Sequence, residues 1–405
     1  MKPILRAERM KPVHSDIRGP LYVEAMKRQK QGIDILKLNT GNPATFGFGL
    51  PDSIRNALME HMQDGVGYCD FKGMPQARQA ICDYETSKGI KGITPDDVFI
   101  GNGVSEVVSF ALTPLLNDGD EVLVASPSYS LWGNSVYLED GKPVFYTCDE
   151  KAGWYPDIQD IRSKITDKTK AIVIINPNNP TGVLYPKEIL LEIIQVAREF
   201  GLLIFSDEIY DRLVMDGKQH ISLASLTEDV PVITLNGLSK SHCLCGYRCG
   251  WMVISGPREL TEDYRQGIIQ LTSLRLCANT MAQIVIPAAL DDMETPASMV
   301  RPGGRIYEQR EATIRELEKI DGLSFIKNDA AFYVFPKLDV KKFNITNDKQ
   351  FAHDLLDATN ILLVPGSGFD WKDPDHFRIV MLPQADVLSD AIRRMGTFLD
   401  GYKQK

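Results

Sequence analysis

Residues 171–210 read AIVIINPNNPTGVLYPKEILLEIIQVAREFGLLIFSDEIY. The run at 171–175 is continuously apolar and β-branched. A strand with no polar face is one buried on both sides of its sheet. A helical stretch follows at 186–200, with Pro186 at its start and Gly201 just past its end, the expected asymmetry of helix termini. A second apolar run follows at 202–206. Strand, helix and strand in this order make a β–α–β unit, and the class follows: α/β, with a mostly parallel sheet.

The alternation continues in both directions. Runs at 98–100, 121–125, 144–147, 232–235 and 251–254 supply further strands, and Gly101-Asn102-Gly103 opens a helix expected over 104–116. The ends read differently. Residues 1–45 are irregular with one helix at 21–31, and beyond about residue 290 helices and strands mix at 306–319, 331–336, 349–359, 361–364, 377–381 and 386–399. The expected division is a large α/β domain at 46–290 and a smaller α+β domain built from 1–45 plus 291–405.

Composition narrows the function classes. The 405 residues carry 45 Lys and Arg against 54 Asp and Glu, a net charge of −9 with no dense basic run, so no nucleic-acid partner is expected. The longest apolar runs fall far short of the about 20 residues a membrane span needs. The opening MKPILRAERMKP lacks the apolar stretch of a secretion signal. Seven Cys, odd in number and dispersed, fit a reducing compartment. The expectation is a cytoplasmic enzyme acting on small molecules.

The chemistry gathers at strand ends, where α/β ligand sites lie. After the strand at 232–235 comes Leu238-Ser239-Lys240, then Gly246-Tyr247-Arg248-Cys249-Gly250-Trp251. Lysine is the residue that joins a carbonyl cofactor, and a guanidinium between glycines suits a phosphate. A solvated lysine is the plain alternative for Lys240 taken alone. Asp207, in Ser206-Asp207-Glu208-Ile209-Tyr210, is a costly carboxylate at the end of an apolar strand unless a cation meets it. A protonated pyridine nitrogen is such a cation, and a pyridoxal cofactor needs that proton; a helix cap is the alternative. Tyr210 lies three residues on, within reach of the ring's phenolic oxygen. Asn176-Pro177-Asn178-Asn179-Pro180-Thr181-Gly182 is a rigid loop, and the Asn179 amide can donate to the same oxygen; a plain turn is the alternative. Gly101-Asn102-Gly103-Val104-Ser105-Glu106 offers a helix start for an anion, or simply a cap. Tyr129, after the strand at 121–125, offers a flat face to a ring, or serves the core.

As a set and in this order, these motifs resemble the fold type I pyridoxal-phosphate aminotransferases of the broad aspartate-aminotransferase superfamily. The resemblance spans nearly the whole chain. Asp16-Ile17-Arg18-Gly19-Pro20, Leu38-Asn39-Thr40-Gly41-Asn42-Pro43, residues 101–106 and Ser273-Leu274-Arg275-Leu276-Cys277-Ala278-Asn279 bring it nearest to the alanine (glutamate–pyruvate) branch. The resemblance implies pyridoxal 5'-phosphate as cofactor, carried by Lys240. It implies that Asp207 pairs with the ring nitrogen, that Asn179 and Tyr210 hold the phenolic oxygen, and that Tyr129 stacks on the ring. Arg248, Val104, Ser105 and Ser239 would hold the phosphate. Tyr68 would reach the neighbouring subunit's phosphate, which implies a homodimer with shared sites. Arg378, Gly41 and Asn179 would take the substrate α-carboxylate, and Arg18 or Arg275 a side-chain carboxylate. The implied reaction moves an amino group from an amino acid, alanine in the nearest branch, to a 2-oxo acid in ping-pong fashion. Lys240 would act as base then acid, which requires a lowered pKa.

Departures from the family pattern mark the lysine loop. Ser241-His242-Cys243-Leu244-Cys245 is rich in Cys and His, yet its spacing lacks the paired cysteines of a zinc site, and no metal is expected. Gly237 stands where some relatives carry a phosphate-binding Ser. The same residues would also serve a carbon–sulfur β-lyase or an aromatic or branched-chain aminotransferase. A pyridoxal-sensing regulator would need a DNA-binding domain for which the segment before residue 46 has no basic helix-turn-helix.

Overall fold

A computed structural model describes residues 2–405. After a short β1 (Leu36–Lys37), the chain builds one large sheet from β2 (Val98–Asn102), β3 (Glu121–Ser126), β4 (Lys142–Asp149), β5 (Tyr155–Pro156), β6 (Thr169–Ile175), β7 (Leu203–Asp207), β8 (Val232–Gly237) and β9 (Cys249–Ser255). The order across the sheet is β2-β9-β8-β7-β6-β3-β4-β5. Strands β4, β3, β6, β7 and β8 pair in parallel, whereas β9 runs against both β2 and β8, and β5 against β4. The chain winds outward in opposite directions from β3 and from β6, so the crevice at their C-terminal ends is the topological switch point where ligands bind in such sheets.

Every residue of β3, β7, β8 and β9 is buried, which is why these strands read as unbroken apolar runs. Side chains alternate between two cores. Val122, Val124, Val173 and Phe205 face one layer of helices, and Leu123, Ile172, Ile174 and Ile204 face the other. Full burial of such a side chain stabilises by about 1.5–3 kcal/mol. The helix Lys187–Phe200 buries Leu190, Ile193, Ile194 and Ala197 on one face and ends at Gly201 in the left-handed conformation, φ 67°.

Beyond the sheet come β10 (Leu323–Ser324), β11 (Tyr333–Val334), β12 (Lys337–Leu338), β13 (Ile361–Leu362), β14 (Val364–Pro365) and β15 (Phe377–Val380). They form small sheets, β10 with β12 and β11-β15-β14, and β1 pairs in parallel with β13. Helices Arg305–Leu317 and Ala385–Asp400 pack with Leu38, Phe377 and Ile379 in a separate core.

Some expected bounds shift for physical reasons. The helix expected over 104–116 spans Val104–Leu112, because Pro114 cannot continue it. The strand expected at 331–336 is reduced to Tyr333–Val334, and that at 361–364 divides at Leu363 into β13 and β14, which pair with different partners. The short β5 and the helices Pro75–Ser87 and Arg258–Arg275 were not anticipated. Among the described residues, no single helix is long and apolar enough to cross a membrane.

Candidate active site

The C-terminal ends of β2, β3, β6, β7 and β8 surround a cavity of about 200 Å³. Ten residues singled out from the sequence as holding cofactor or substrate line it at those strand ends and on β15: Val104 and Ser105 after β2, Tyr129 after β3, Asn179 after β6, Asp207 and Tyr210 after β7, Ser239, Lys240 and Arg248 between β8 and β9, and Arg378 on β15. Gly41, from the N-terminal segment, closes the ring.

Two buried charges define the site. Asp207 is 4% exposed, and its carboxylate accepts from Trp132 Nε1 (3.1 Å) and from the Ile209 amide (3.3 Å). Burial pushes its pKa up to about 6, partly offset by those two donors. A carboxylate so placed lacks only a cation on its cavity side. Arg378 is 1% exposed, and burial holds its guanidinium below the usual arginine range. It donates only to neutral acceptors, Asn179 Oδ1 at 3.0 Å and Asn39 O, and its Nε has no partner. The Tyr333 and Phe369 rings flank it, each with its centroid 4.6 Å away. A buried cation among neutral groups calls for an anion.

Lys240 lies in the short helix Leu238–Ser241 that β8 leads into, and its ammonium donates to Gly41 O at 2.8 Å. The lowered pKa expected from the sequence is not what this environment gives. Burial pushes the ammonium down, but the Tyr333, Cys245 and Tyr129 side chains outweigh burial and Arg378, and the net shift is upward. Gly41 must be glycine, since a Cβ there would overlap the Tyr333 hydroxyl.

The anion cradle sits at the start of the helix Val104–Leu112. Arg248 adopts the left-handed conformation, φ 55°, and donates to Ser105 Oγ (3.2 Å), Cys245 O (3.0 Å) and Asn102 O (3.4 Å), all neutral. Gly103, at φ 85°, leaves room for that guanidinium, which a Cβ would strike. Gly237 faces Gly250 across β8 and β9, and a Cβ on it would meet Cys249 O; the position read against a phosphate-binding Ser is thus closed by backbone.

This donor set fits pyridoxal 5'-phosphate: a buried carboxylate for a ring nitrogen, an unpaired arginine at a helix start for a phosphate, and an amine lining the same cavity. Asn179 spends its Oδ1 on Arg378, which leaves its Nδ2 as a donor. Tyr210 OH and Tyr333 OH lie 2.9 Å apart.

Some residues fall elsewhere. Tyr68 and Arg18 are exposed and do not line the cavity, although Ile17 does. Arg275, offered as an alternative to Arg18, is bound to Glu106 Oε2 at 2.5 Å and to Phe71 O and Ile100 O, so its charge is already used. The Cys- and His-rich loop turns its side chains apart. His242 is within 3.3 Å of Asp292 O, Cys243 lies 3.8 Å from Met299 Sδ, Cys249 is buried in β9, and Cys245 faces the cavity. Sequence reasoning missed Tyr333 and Trp132, which no local motif marks: Tyr333 reaches the site from the distant β11, and Trp132, three residues beyond Tyr129, meets Asp207 only through the fold.

The family model for class I and II aminotransferases matches residues 33–394. The glutamate–pyruvate aminotransferase AlaA of Haemophilus influenzae is 48% identical over 404 residues, covering 100% of both chains. The alanine aminotransferase of Mycobacterium tuberculosis is 45% identical over 98% of this chain and 93% of its own. Among solved structures, an aminotransferase from Escherichia coli superposes with a TM-score of 0.98 at 46% identity over the full length of both, and the alanine aminotransferase of Pyrococcus furiosus with 0.92 at 40%, over 98% of this chain and 100% of that one.

Proposed function

The chain belongs to the class I and II aminotransferases, pyridoxal-phosphate enzymes of fold type I, and from that premise we propose that it exchanges an amino group between alanine and 2-oxoglutarate, with pyruvate and glutamate as products. The observation that carries the substrate reading is Arg378, buried and unpaired at the wall of a small cavity that also holds Lys240. A guanidinium so placed takes an α-carboxylate in bidentate fashion, with the Asn179 side chain and the Gly41 backbone beside it. Ile17, Leu131 and Ile175 leave apolar wall where a small side chain fits.

When bound, the cofactor supplies an electron sink for the charge that develops at the substrate Cα. The chain's residues do the rest. Asp207 holds a proton on the ring nitrogen, Tyr210 and the Asn179 amide bond the phenolic oxygen, and Tyr129 covers the ring. Arg248, Ser105, Ser239 and the amide groups at Val104 and Ser105 hold the phosphate. Lys240 takes the Cα proton as a base and, as an acid, delivers it to the C4′ carbon of the cofactor. Arg378 opposes its ammonium form but does not outweigh the groups that favour it, so the shift at Lys240 stays upward.

The chain acts as a homodimer in which Tyr68 reaches the neighbouring subunit's phosphate. In support, Tyr68 is 83% exposed, and Met62, Val66, Leu274 and Leu276 are apolar side chains that are likewise exposed. Their two segments are bonded together through Thr280 Oγ1–Gly65 O and Arg275 Nη2–Phe71 O. Arg18 is assigned to the γ-carboxylate of the five-carbon partner, and the compartment to the cytoplasm.

The test is a panel of amino donors against pyruvate and 2-oxoglutarate with purified protein. Exchange between alanine and 2-oxoglutarate is expected, and none with Lys240→Ala. Exchange with aromatic or branched-chain donors alone overturns the substrate reading. Release of pyruvate and thiol from cystathionine without a 2-oxo acid would assign a β-lyase instead.

A further inference from the structure

A second layer of charge lies directly beneath the turn that carries Asp207 and Tyr210. Lys88, at the end of the helix Pro75–Ser87, places its ammonium 2.7 Å from Glu85 Oε2, 2.8 Å from Glu208 Oε2 and 3.1 Å from Asp211 Oδ2. The side chains of Glu85 and Glu208 are wholly buried, and that of Asp211 is 3% exposed. Glu208 and Asp211 belong to the segment 207–211 itself.

Several neighbours present donors to these two carboxylates. Glu208 Oε1 accepts from Ser206 Oγ (2.9 Å), Ser222 Oγ (2.8 Å) and the Leu223 amide (3.2 Å). Asp211 Oδ2 accepts from Tyr84 OH (2.6 Å) and Asn236 Nδ2 (2.7 Å), and Asn236 lies at the end of β8, on the segment leading to Lys240. Trp251 Nε1 on β9 donates to Glu85 Oε1 at 3.2 Å. His220 Nε2 lies 3.8 Å from Glu208 Oε2 and 3.1 Å from Asn176 O, at the root of the Asn179 loop. Arg212 stacks on the Tyr84 ring and donates to Ala289 O and Leu290 O. Glu208, Asp211 and His220 are near enough to share a cation, and the Lys88 ammonium already meets both carboxylates.

Three buried carboxylates about one ammonium carry an excess of negative charge. Burial pushes the Glu85 carboxyl upward, toward its neutral form. It pushes Asp211 the same way, but Lys88 and His220 more than offset that and hold it below the usual carboxylate range. Glu208 is the member of this cluster that acts on Asp207: it raises the proton affinity of Asp207, while Lys240, on the cavity side, lowers it.

We propose that Lys88 is a positioning residue for the cofactor. Its ammonium ties the Asp207–Tyr210 turn to the helix Pro75–Ser87 and cancels the Glu208 charge, so that Asp207 stays ionised to meet the ring nitrogen. The proposal rests on the assignment of Asp207 to that nitrogen. Without the ammonium, Glu208 and Asp211 would lose the cation that meets both of them, and the less compensated Glu208 charge beside Asp207 would make it hold a proton to higher pH.

The test is the Kd for pyridoxal 5'-phosphate, measured by equilibrium dialysis of the holoenzyme between about pH 5 and about pH 8, the window in which a carboxyl raised by burial titrates. Binding weakens toward acid in the wild type. In Lys88→Met the midpoint of that weakening moves up by about one pH unit. In Glu208→Gln, which removes the repelling charge, it moves down, and the double variant Lys88→Met/Glu208→Gln returns toward the wild type. A purely structural role would weaken binding by one factor at every pH, and an unmoved midpoint in Lys88→Met overturns the proposal. Should Lys88→Met fail to fold, an unmoved or raised midpoint in Glu208→Gln overturns it alone. Asp207→Ala serves as control: unchanged binding there would remove the Asp207 assignment itself, independently of Lys88.

Discussion

Arg378 is the residue with most at stake, because its charge is buried with neutral partners only. Truncating one side of a buried charged pair costs about 2–5 kcal/mol. Arg378→Gln is therefore expected to raise the KM for alanine by about 100-fold, read from initial rates, while Kd for the cofactor stays close to that of the wild type. A KM within a factor of about two of wild type would remove the α-carboxylate assignment. At this scale the sequence was informative where a charged residue stood just past or within an apolar run, as with Lys240, Asp207 and Arg378. It was silent on Tyr333 and Trp132, two aromatic residues whose sequence context is that of any core position. The upward shift of Lys240 was also hidden, since it depends on Tyr333, Cys245 and Tyr129 meeting in space.

At the scale of elements, the helix Lys187–Phe200 offers a clean test of local reading. Gly201 ends it at φ 67° with open space where a Cβ would go, so substitution costs conformation and no packing. Gly201→Ala is expected to destabilise by about 1 kcal/mol in urea denaturation, with kcat unchanged. A loss above about 3 kcal/mol would mean that the loop before β7 is strained elsewhere. The long strands were legible because burial on both faces leaves a continuous apolar signature. Pairs as short as β10, β11 and β13 are two residues each, too short for any period, and exist only because distant partners hold them. The layer around Lys88 was equally hidden, since its members come from a helix, two strand ends and β9.

For the whole molecule, two predictions follow from what joins distant parts. In a dimer with shared sites, Lys240→Ala and Tyr68→Ala subunits mixed and allowed to exchange would form hybrids with one intact site, and activity should exceed that of either parent; no gain on mixing would argue that each subunit carries its own site complete. The second concerns His14, which lies between Asp16 and Asp370 (Nε2 to Asp370 Oδ1, 3.0 Å) while its backbone pairs with Asn134. The hydrogen bond to Asp16, then that to Asp370, raises its pKa from 6.5 to about 9. The imidazolium is the favoured form in the folded chain, so its stabilisation is complete below pH 6.5 and is lost as pH rises through about 9. The Tm difference between wild type and His14→Gln should shrink across that window; a constant difference would show that the charge is not involved. The pairing of β1 with β13 bears on how the molecule is made. Leu36 leaves the ribosome long before its partner Ile361 exists. At about 5–20 residues per second, the early segment waits tens of seconds with Leu38 and its apolar neighbours uncovered. During that interval the nascent chain is a natural client for chaperones, and its vulnerability to aggregation ends only when the last part of the polypeptide is released.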